Sequence, residues 1–431
     1  MENKRIETRK KIFISIAFVG IAIMIFFLAP IKETLAGFYR ILTSTSILLT
    51  DYLYVGGLAA TLLNAFLTLL LNLLIIRKLH LKINGPIFAC LLTIIGFSFF
   101  GKNLYNALPL YLGVYLYTKY TKTKLQDYII VFLLSSGIAP IVSYLMFGLG
   151  LAYPISIPLA IAVGMLIGFV LPAFNKHTIQ FHQGYNLYNT GFSLGVISMI
   201  ITGIISSLGG VINRQTSVNN EYHMILLIAI IFLSSLFILY AFFLNRRVWK
   251  KYPLLLEETG RLFSDFMSSH GKDVTYLNIG LLGLLTSFIV MILKIPLNGP
   301  VVGAILTVIG FGAFGKHVRN VIPVMIGALS ALFLTNTELN IASAMAIIFV
   351  TSLAPIAGKF GVGAGIIAGF LHFLIVAQTL EFQGGFDLYN NGFAAGFVAA
   401  IISSLFEILY RDSKLSTYFY QSFDKNNNLK M

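Results

Sequence analysis

Charge is scarce in this chain. Asp, Glu, Lys and Arg make up 11% of 431 residues, against roughly 25% in a soluble globular domain. No stretch is large and polar enough to fold as a separate soluble domain, and the longest polar stretch, about 245–275, is amphipathic. Cysteine is nearly absent. The single Cys90 excludes an internal disulfide and any site made of paired cysteines. Enzyme signatures are sparse as well: there is no HExxH pair and no Walker loop. The expectation is therefore a chain that is not an enzyme and needs neither cofactor nor metal. Negative charge is the scarcer sign, 16 acidic residues against 30 basic, for a formal charge of +14. The basic residues sit in loops between apolar runs, which points to membrane topology rather than to nucleic acid.

Apolar residues are abundant, at 57% of the chain. Runs of about 17–23 of them recur along its length, enough to cross a hydrocarbon core of ~30 Å. The first, 12–30, follows a basic start and lacks a small-residue cleavage site, so it reads as a transmembrane helix rather than a removed signal.

The chain also repeats itself. Residues 84–113 match residues 298–327 without a gap at 14 of 30 positions, and residues 181–195 match 382–396 at 8 of 15. The expected architecture is an all-α membrane protein of two inverted-topology repeats with about 10–14 transmembrane segments, including short hairpins that either re-enter or span. Five regions are expected: a basic N-terminus (1–11), repeat one (12–210), an external linker (211–221), repeat two (222–409, with the amphipathic segment 245–275) and a tail (410–431). About 14 extra residues near 142–157 of repeat one suggest a longer loop there. Each repeat holds an odd number of crossings, so the two halves lie oppositely in the membrane. With the N-terminus inside, 25 of the 30 Lys and Arg residues fall on the inner side. That supports a cell-membrane protein with both termini cytoplasmic.

Three duplicated motifs carry candidate chemistry. Asn84-Gly-Pro and Asn298-Gly-Pro open short apolar segments; each Asn either helps line a solute path or simply caps a helix. Phe100-Gly-Lys102 and Phe314-Gly-Lys316 close them. The lysines either sit inside the protein, attracting an anion, or snorkel to opposite surfaces. If inside, the two turns should approach each other across the pseudo-two-fold axis and face a polar cavity, where the two charges favour an anionic substrate or a carboxylate such as Asp387 as partner. Asn106 with Pro109, and Asn320 with Pro323, break the segments that follow. The third motif, Gly184-Tyr-Asn-Leu-Tyr188-Asn189 and Gly385-Phe-Asp-Leu-Tyr389-Asn390, is the most polar. Its tyrosines and asparagines suit substrate recognition or gating, or anchoring at the membrane surface. Asp387 replaces Asn186, so only repeat two offers a carboxylate there, a candidate for proton or sodium coupling. The alternative for Asp387 is a solvated loop carboxylate.

The paired Asn-Gly-Pro and Phe-Gly-Lys blocks and the Gly-Tyr-Asn-Leu-Tyr-Asn block resemble a family of bacterial multi-pass membrane proteins of uncharacterised function, over about residues 10–410. That resemblance implies a bacterial plasma-membrane protein and carries no activity. The inverted duplication is similar in architecture to urea-channel-type folds, without their Leu-Pro-x-x-Thr motif. The expected function is a transporter or channel for a small solute, with anionic solutes favoured. The alternative is a membrane-embedded enzyme acting on a lipid or lipid-linked substrate. The lipid bilayer, a small-molecule solute, a coupling proton or sodium ion and a second copy of the chain are the partners considered; nucleic acid is not.

Overall fold

The computed structural model describes residue 20, residues 23–213 and residues 216–412. The expected first transmembrane helix, 12–30, and both terminal tails lie mostly outside these residues. Among the described residues, nine helical stretches are long and apolar enough to cross a membrane, and three further apolar helices are shorter. The protein is a multi-pass all-α membrane protein.

Repeat one contributes α1 (Ile31–Thr43), α2 (Tyr52–Gly56), α3 (Leu58–Lys78), α4 (Gly85–Phe97), α5 (Leu104–Tyr120), α6 (Ile129–Leu134), α7 (Ala139–Phe147), α8 (Tyr153–His182) and α9 (Asn189–Ser207). Then comes α10 (His223–Leu244). Repeat two follows in the same order: α11 (Val248–Leu255), α12 (Phe266–Ser269), α13 (Lys272–Ile292), α14 (Gly299–Phe311), α15 (Val318–Leu334), α16 (Ile341–Phe349), α17 (Ala354–Phe360), α18 (Val362–Phe382) and α19 (Asn390–Asp412). Each helix from α1 to α9 thus has its counterpart ten places on.

Asn84 and Asn298 cap α4 and α14, with proline in the first turn of each. At 13 residues these helices are only about 20 Å long. They pack against each other antiparallel, and glycine makes that possible. A Cβ on Gly96 would stand 2.7 Å from the Gly303 carbonyl oxygen, and one on Gly310 would stand 3.0 Å from that of Ala89. Gly85 at the start of α4 meets Ala313 past the end of α14, and Gly299 meets Phe99 in the same way. The six-residue turns that hold Lys102 and Lys316 therefore sit at opposite ends of the α4–α14 pair. This corrects the expectation that they approach each other. Close glycine contact lets the helices overlap along their whole length, which drives the turns apart.

A second correction concerns the extra residues of repeat one. The α7–α8 connection is only Gly148–Ala152. The insertion mostly lengthens α8 at its start: Tyr153 to Gly168 is 16 residues, whereas the matching run Val362 to Gly369 is eight. A third feature lies in the apolar stretches 129–147 and 341–360. Each is interrupted by a 3₁₀ turn, at Ser135–Ile138 and Val350–Leu353. Ala139-Pro140 and Ala354-Pro355 then start a new α-helix, the position where proline loses no hydrogen bond.

Candidate functional site

The Tyr-Asn motifs dock crosswise. The Leu187 N–H donates to the Ser352 carbonyl (3.0 Å), in the 3₁₀ break of repeat two, and the Leu388 N–H donates to the Gly137 carbonyl (2.9 Å), in the break of repeat one. Asn186 Nδ2 donates to the Gly392 carbonyl at 2.8 Å. The rings of Tyr188 and Tyr389 meet with centroids 5.1 Å apart. Each ring also stands edge-on to a phenylalanine closing a short helix, Tyr188 on Phe311 (5.0 Å) and Tyr389 on Phe97 (4.5 Å). Gly191 and Gly392 lie against the opposite tyrosine, where a Cβ would come within 2.5 Å and 2.9 Å of Tyr389 and Tyr188 side-chain atoms. The helices α9 and α19 thus start beside the pseudo-two-fold axis.

Both lysines are fully buried. Their surroundings are polar, and among the described residues no carboxylate pairs with either ammonium. Lys316 Nζ donates to the Tyr188 hydroxyl (2.5 Å) and to Thr351 Oγ1 (2.8 Å), the latter in the 3₁₀ break. It also lies 4.4 Å from the Tyr188 ring centre and 5.0 Å from that of Phe311. Lys102 Nζ donates to the Tyr111 hydroxyl (3.2 Å), which turns toward Ser136 Oγ (3.4 Å) in the other break. Symmetry would send Lys102 to Tyr389; it takes Tyr111 instead, and the Tyr389 hydroxyl has no hydrogen-bond partner. Asp387 was expected as a partner for the lysines. Its Oδ1 accepts the Tyr389 N–H (2.9 Å) and its Oδ2 accepts nothing, so the ammonium groups have no carboxylate there. A buried ammonium without counter-charge costs several kcal/mol. Aromatic faces and hydroxyls offset part of that cost.

The other predicted residues divide by repeat and by role. Asn84 Oδ1 accepts the Ile87 N–H (3.0 Å) and Asn298 Oδ1 the Val301 N–H (3.2 Å), so both act as helix caps. Asn106 and Asn320 brace the lysine turns by donating to the Gly101 and Gly315 carbonyls, 3.0 Å and 2.9 Å away. Asn189 is fully engaged: its Oδ1 accepts Thr178 Oγ1 (2.9 Å) and is 2.7 Å from His182 Nε2, and its Nδ2 donates to the Asn175 carbonyl (3.1 Å). Its counterpart Asn390 accepts from Asn391 Nδ2 (2.9 Å) and lines a cavity of about 420 Å³. That cavity lies among the starts of α16 and α19, the second half of α18 and the Leu48-Leu49 loop; Asn340, Ser343 and Gln378 join its lining, and no charged side chain does. At the positions of Ser343 and Ala377, repeat one carries Tyr128 and Lys176, hydrogen-bonded at 3.2 Å.

Two duplicated pairs escaped the sequence reading. Asn64 Nδ2 donates to the Ser98 and Lys102 carbonyls (both 2.9 Å), and Asn278 Nδ2 donates to those of Gly312 and Lys316 (both 2.7 Å). Asp265 Oδ1 accepts the Gly85 N–H (3.0 Å) at the start of α4, and Asp51 Oδ1 accepts the Gly299 N–H (3.2 Å) at the start of α14. Each repeat thereby caps the short helix of the other, where an anion is favoured by the helix dipole. Both pairs stand 214 residues apart, the spacing of the lysines. Extending the ungapped comparison toward the N-terminus reveals them.

Together these contacts define a multi-pass membrane protein built from two interlocked, oppositely oriented repeats. The chain belongs to a family described as proteins of unknown function, DUF1576, which matches it over residues 31–207 and again over 244–408. The two matched segments fall one within each repeat. No curated protein and no solved structure matches the chain.

Proposed function

We propose that the protein is a secondary transporter or channel, not an enzyme, and that it moves a small anionic solute between its inverted repeats. The carrying observation is the crosswise docking of the Tyr-Asn motifs. It brings polar groups from both repeats to one axis, beside a buried lysine that no carboxylate neutralises. A scaffold gains nothing from such groups, whereas a carrier needs solute-binding groups at the joint about which its halves rock. The distribution of basic residues supports cytoplasmic termini in a cell membrane, which makes the Asp51 side external. The uncharged cavity ending at Asn390 then serves as an outer vestibule. A membrane-embedded enzyme remains the alternative, but no geometry described above favours it.

The test is uptake into proteoliposomes containing the purified protein. Small carboxylates, phosphate and sulfate would be compared with neutral sugars and urea. Uptake of one anion class, lost in Lys316→Met with folding intact, is the expected result. Uptake of a neutral solute that survives in the Lys102→Met/Lys316→Met double variant would overturn the anion reading.

A further inference from the structure

Asp387 and Asn186 occupy matching positions, 201 residues apart, in the two motifs. Both carry out one task in the same way: Asn186 Oδ1 accepts the Tyr188 N–H (2.9 Å), and Asp387 Oδ1 accepts the Tyr389 N–H (2.9 Å). The second task separates them. Asn186 Nδ2 donates across the axis to the Gly392 carbonyl (2.8 Å). The same two-fold relation gives Asp387 Oδ2 the Gly191 carbonyl, and Gly191 does lie against Tyr389, two residues from Asp387. A carbonyl only accepts, and so does an ionised carboxylate. Two acceptors facing each other repel. A carboxylic acid, in contrast, carries one O–H and reproduces the shape and hydrogen bonding of the Asn186 amide.

The surroundings agree. Asp387 is fully buried and its Oδ2 is without a partner. Helix α9, which faces it, carries no titratable side chain. The titratable groups on the other elements packed against its segment are Tyr188 and Tyr389 on the motifs, Tyr144 on α7, Cys90 on α4, Lys102 in its turn and, on α18, His372, whose Nε2 lies 3.2 Å from the Asn391 carbonyl oxygen. Neither basic group of that set pairs with Asp387: the Lys102 amine is bonded to Tyr111 and His372 to the Asn391 backbone.

We propose that Asp387 holds a proton which it donates to the Gly191 carbonyl, and that this proton is a removable latch between the repeats. When the proton leaves, one of two matching cross-axis hydrogen bonds is lost and the Asn186 bond remains. The opening is therefore lopsided and loosens the start of α19, next to the cavity at Asn390. In the transport reading, on which this part rests, the proton is the coupling ion.

Infrared difference spectroscopy of the purified full chain reads the proton directly, whether or not transport is found. Wild type at neutral pH should show the carbonyl band of a protonated carboxylic acid, shifted in heavy water and absent from Asp387→Asn. That variant, which rebuilds the Asn186 arrangement, should fold with an unchanged or higher melting temperature. Asn186→Asp should add a second such band. Absence of the band from wild type at neutral pH overturns the proposal. So does a melting temperature that rises with sodium but not with potassium or choline in wild type and not in Asp387→Asn, which would assign the site to a bound cation. If the band is present and no solute is ever carried, the proton stands and the transport reading falls.

Discussion

Removing the Asp51 carboxylate tests whether the repeats are tied by each other's caps. In Asp51→Ala three backbone N–H groups lose their acceptor: Leu53 (2.9 Å), Gly299 (3.2 Å) and Asn219 (2.9 Å). Asp51 is fully buried. Each charge-assisted hydrogen bond contributes about 1.5–3 kcal/mol, and each buried donor left unpaired costs about 1–3 kcal/mol. Allowing for non-additivity, a loss of about 3–5 kcal/mol is expected. Asp51→Asn keeps an oxygen for Leu53 and Gly299 and loses the Asn219 bond, so about 1–2 kcal/mol is expected. Asp265 is only half-buried, and Asp265→Ala should fall between these. The assay uses a reporter already in the chain: Cys90 is buried within α4. A fluorogenic thiol reagent in detergent reports its exposure on heating, giving an apparent melting temperature. The order should be wild type, Asp51→Asn, Asp265→Ala and Asp51→Ala, from highest to lowest. An Asp51→Ala protein that melts with wild type would refute the cross-cap reasoning.

Four further outcomes are expected. Asn64→Ala and Asn278→Ala should each cost about 2–4 kcal/mol by the same assay, because two buried carbonyls per turn lose their donor; unequal effects would contradict the matched geometry. Tyr188→Phe should destabilise by about 1–3 kcal/mol through loss of the Lys316 bond, whereas Tyr389→Phe should be close to neutral, since its hydroxyl has no partner. The reverse order would remove the asymmetry on which the lysine reading depends. Lys316→Met should leave melting unchanged or raised, as replacing a buried charge by an apolar chain of similar size often does; a large loss of stability would give the ammonium a structural task. Single cysteines at Glu221 and Lys250, in a Cys90→Ala background that copies Ala304 of repeat two, should label from outside and inside respectively in intact cells, and labelling from one side only would refute the proposed orientation.

The duplication, the short helices and their caps were legible because each depends on neighbours in sequence. Asn84-Gly-Pro starts a helix wherever it stands. The burial of the lysines was open, since Gly-Lys suits a surface turn as well as an interior one. What decided it was Asn64 and Asn278, which hold the turns from 38 residues away. The relative placement of the turns was misread because it depends on Gly96 meeting Gly303, a contact between repeats that no local pattern encodes. The 3₁₀ breaks were not legible, because each interrupts a continuous apolar run and is held by Leu187 or Leu388 from the opposite repeat. Asp387 stood out by its departure from Asn186, while the cross-axis Asn186–Gly392 bond that gives the departure its meaning became visible only in three dimensions.

The crosswise docking also sets an order of events during synthesis. The Leu187 N–H finds its acceptor at Ser352, 165 residues later in the chain. Gly85 waits still longer for Asp265, which is 180 residues away. A first repeat that has just entered the membrane therefore carries bare backbone at its interior until the second arrives. Unsatisfied polar backbone in hydrocarbon is costly. Nascent repeat one should thus be a client for membrane-insertion chaperones. The two halves made as separate chains should be degraded singly and rescued when produced together.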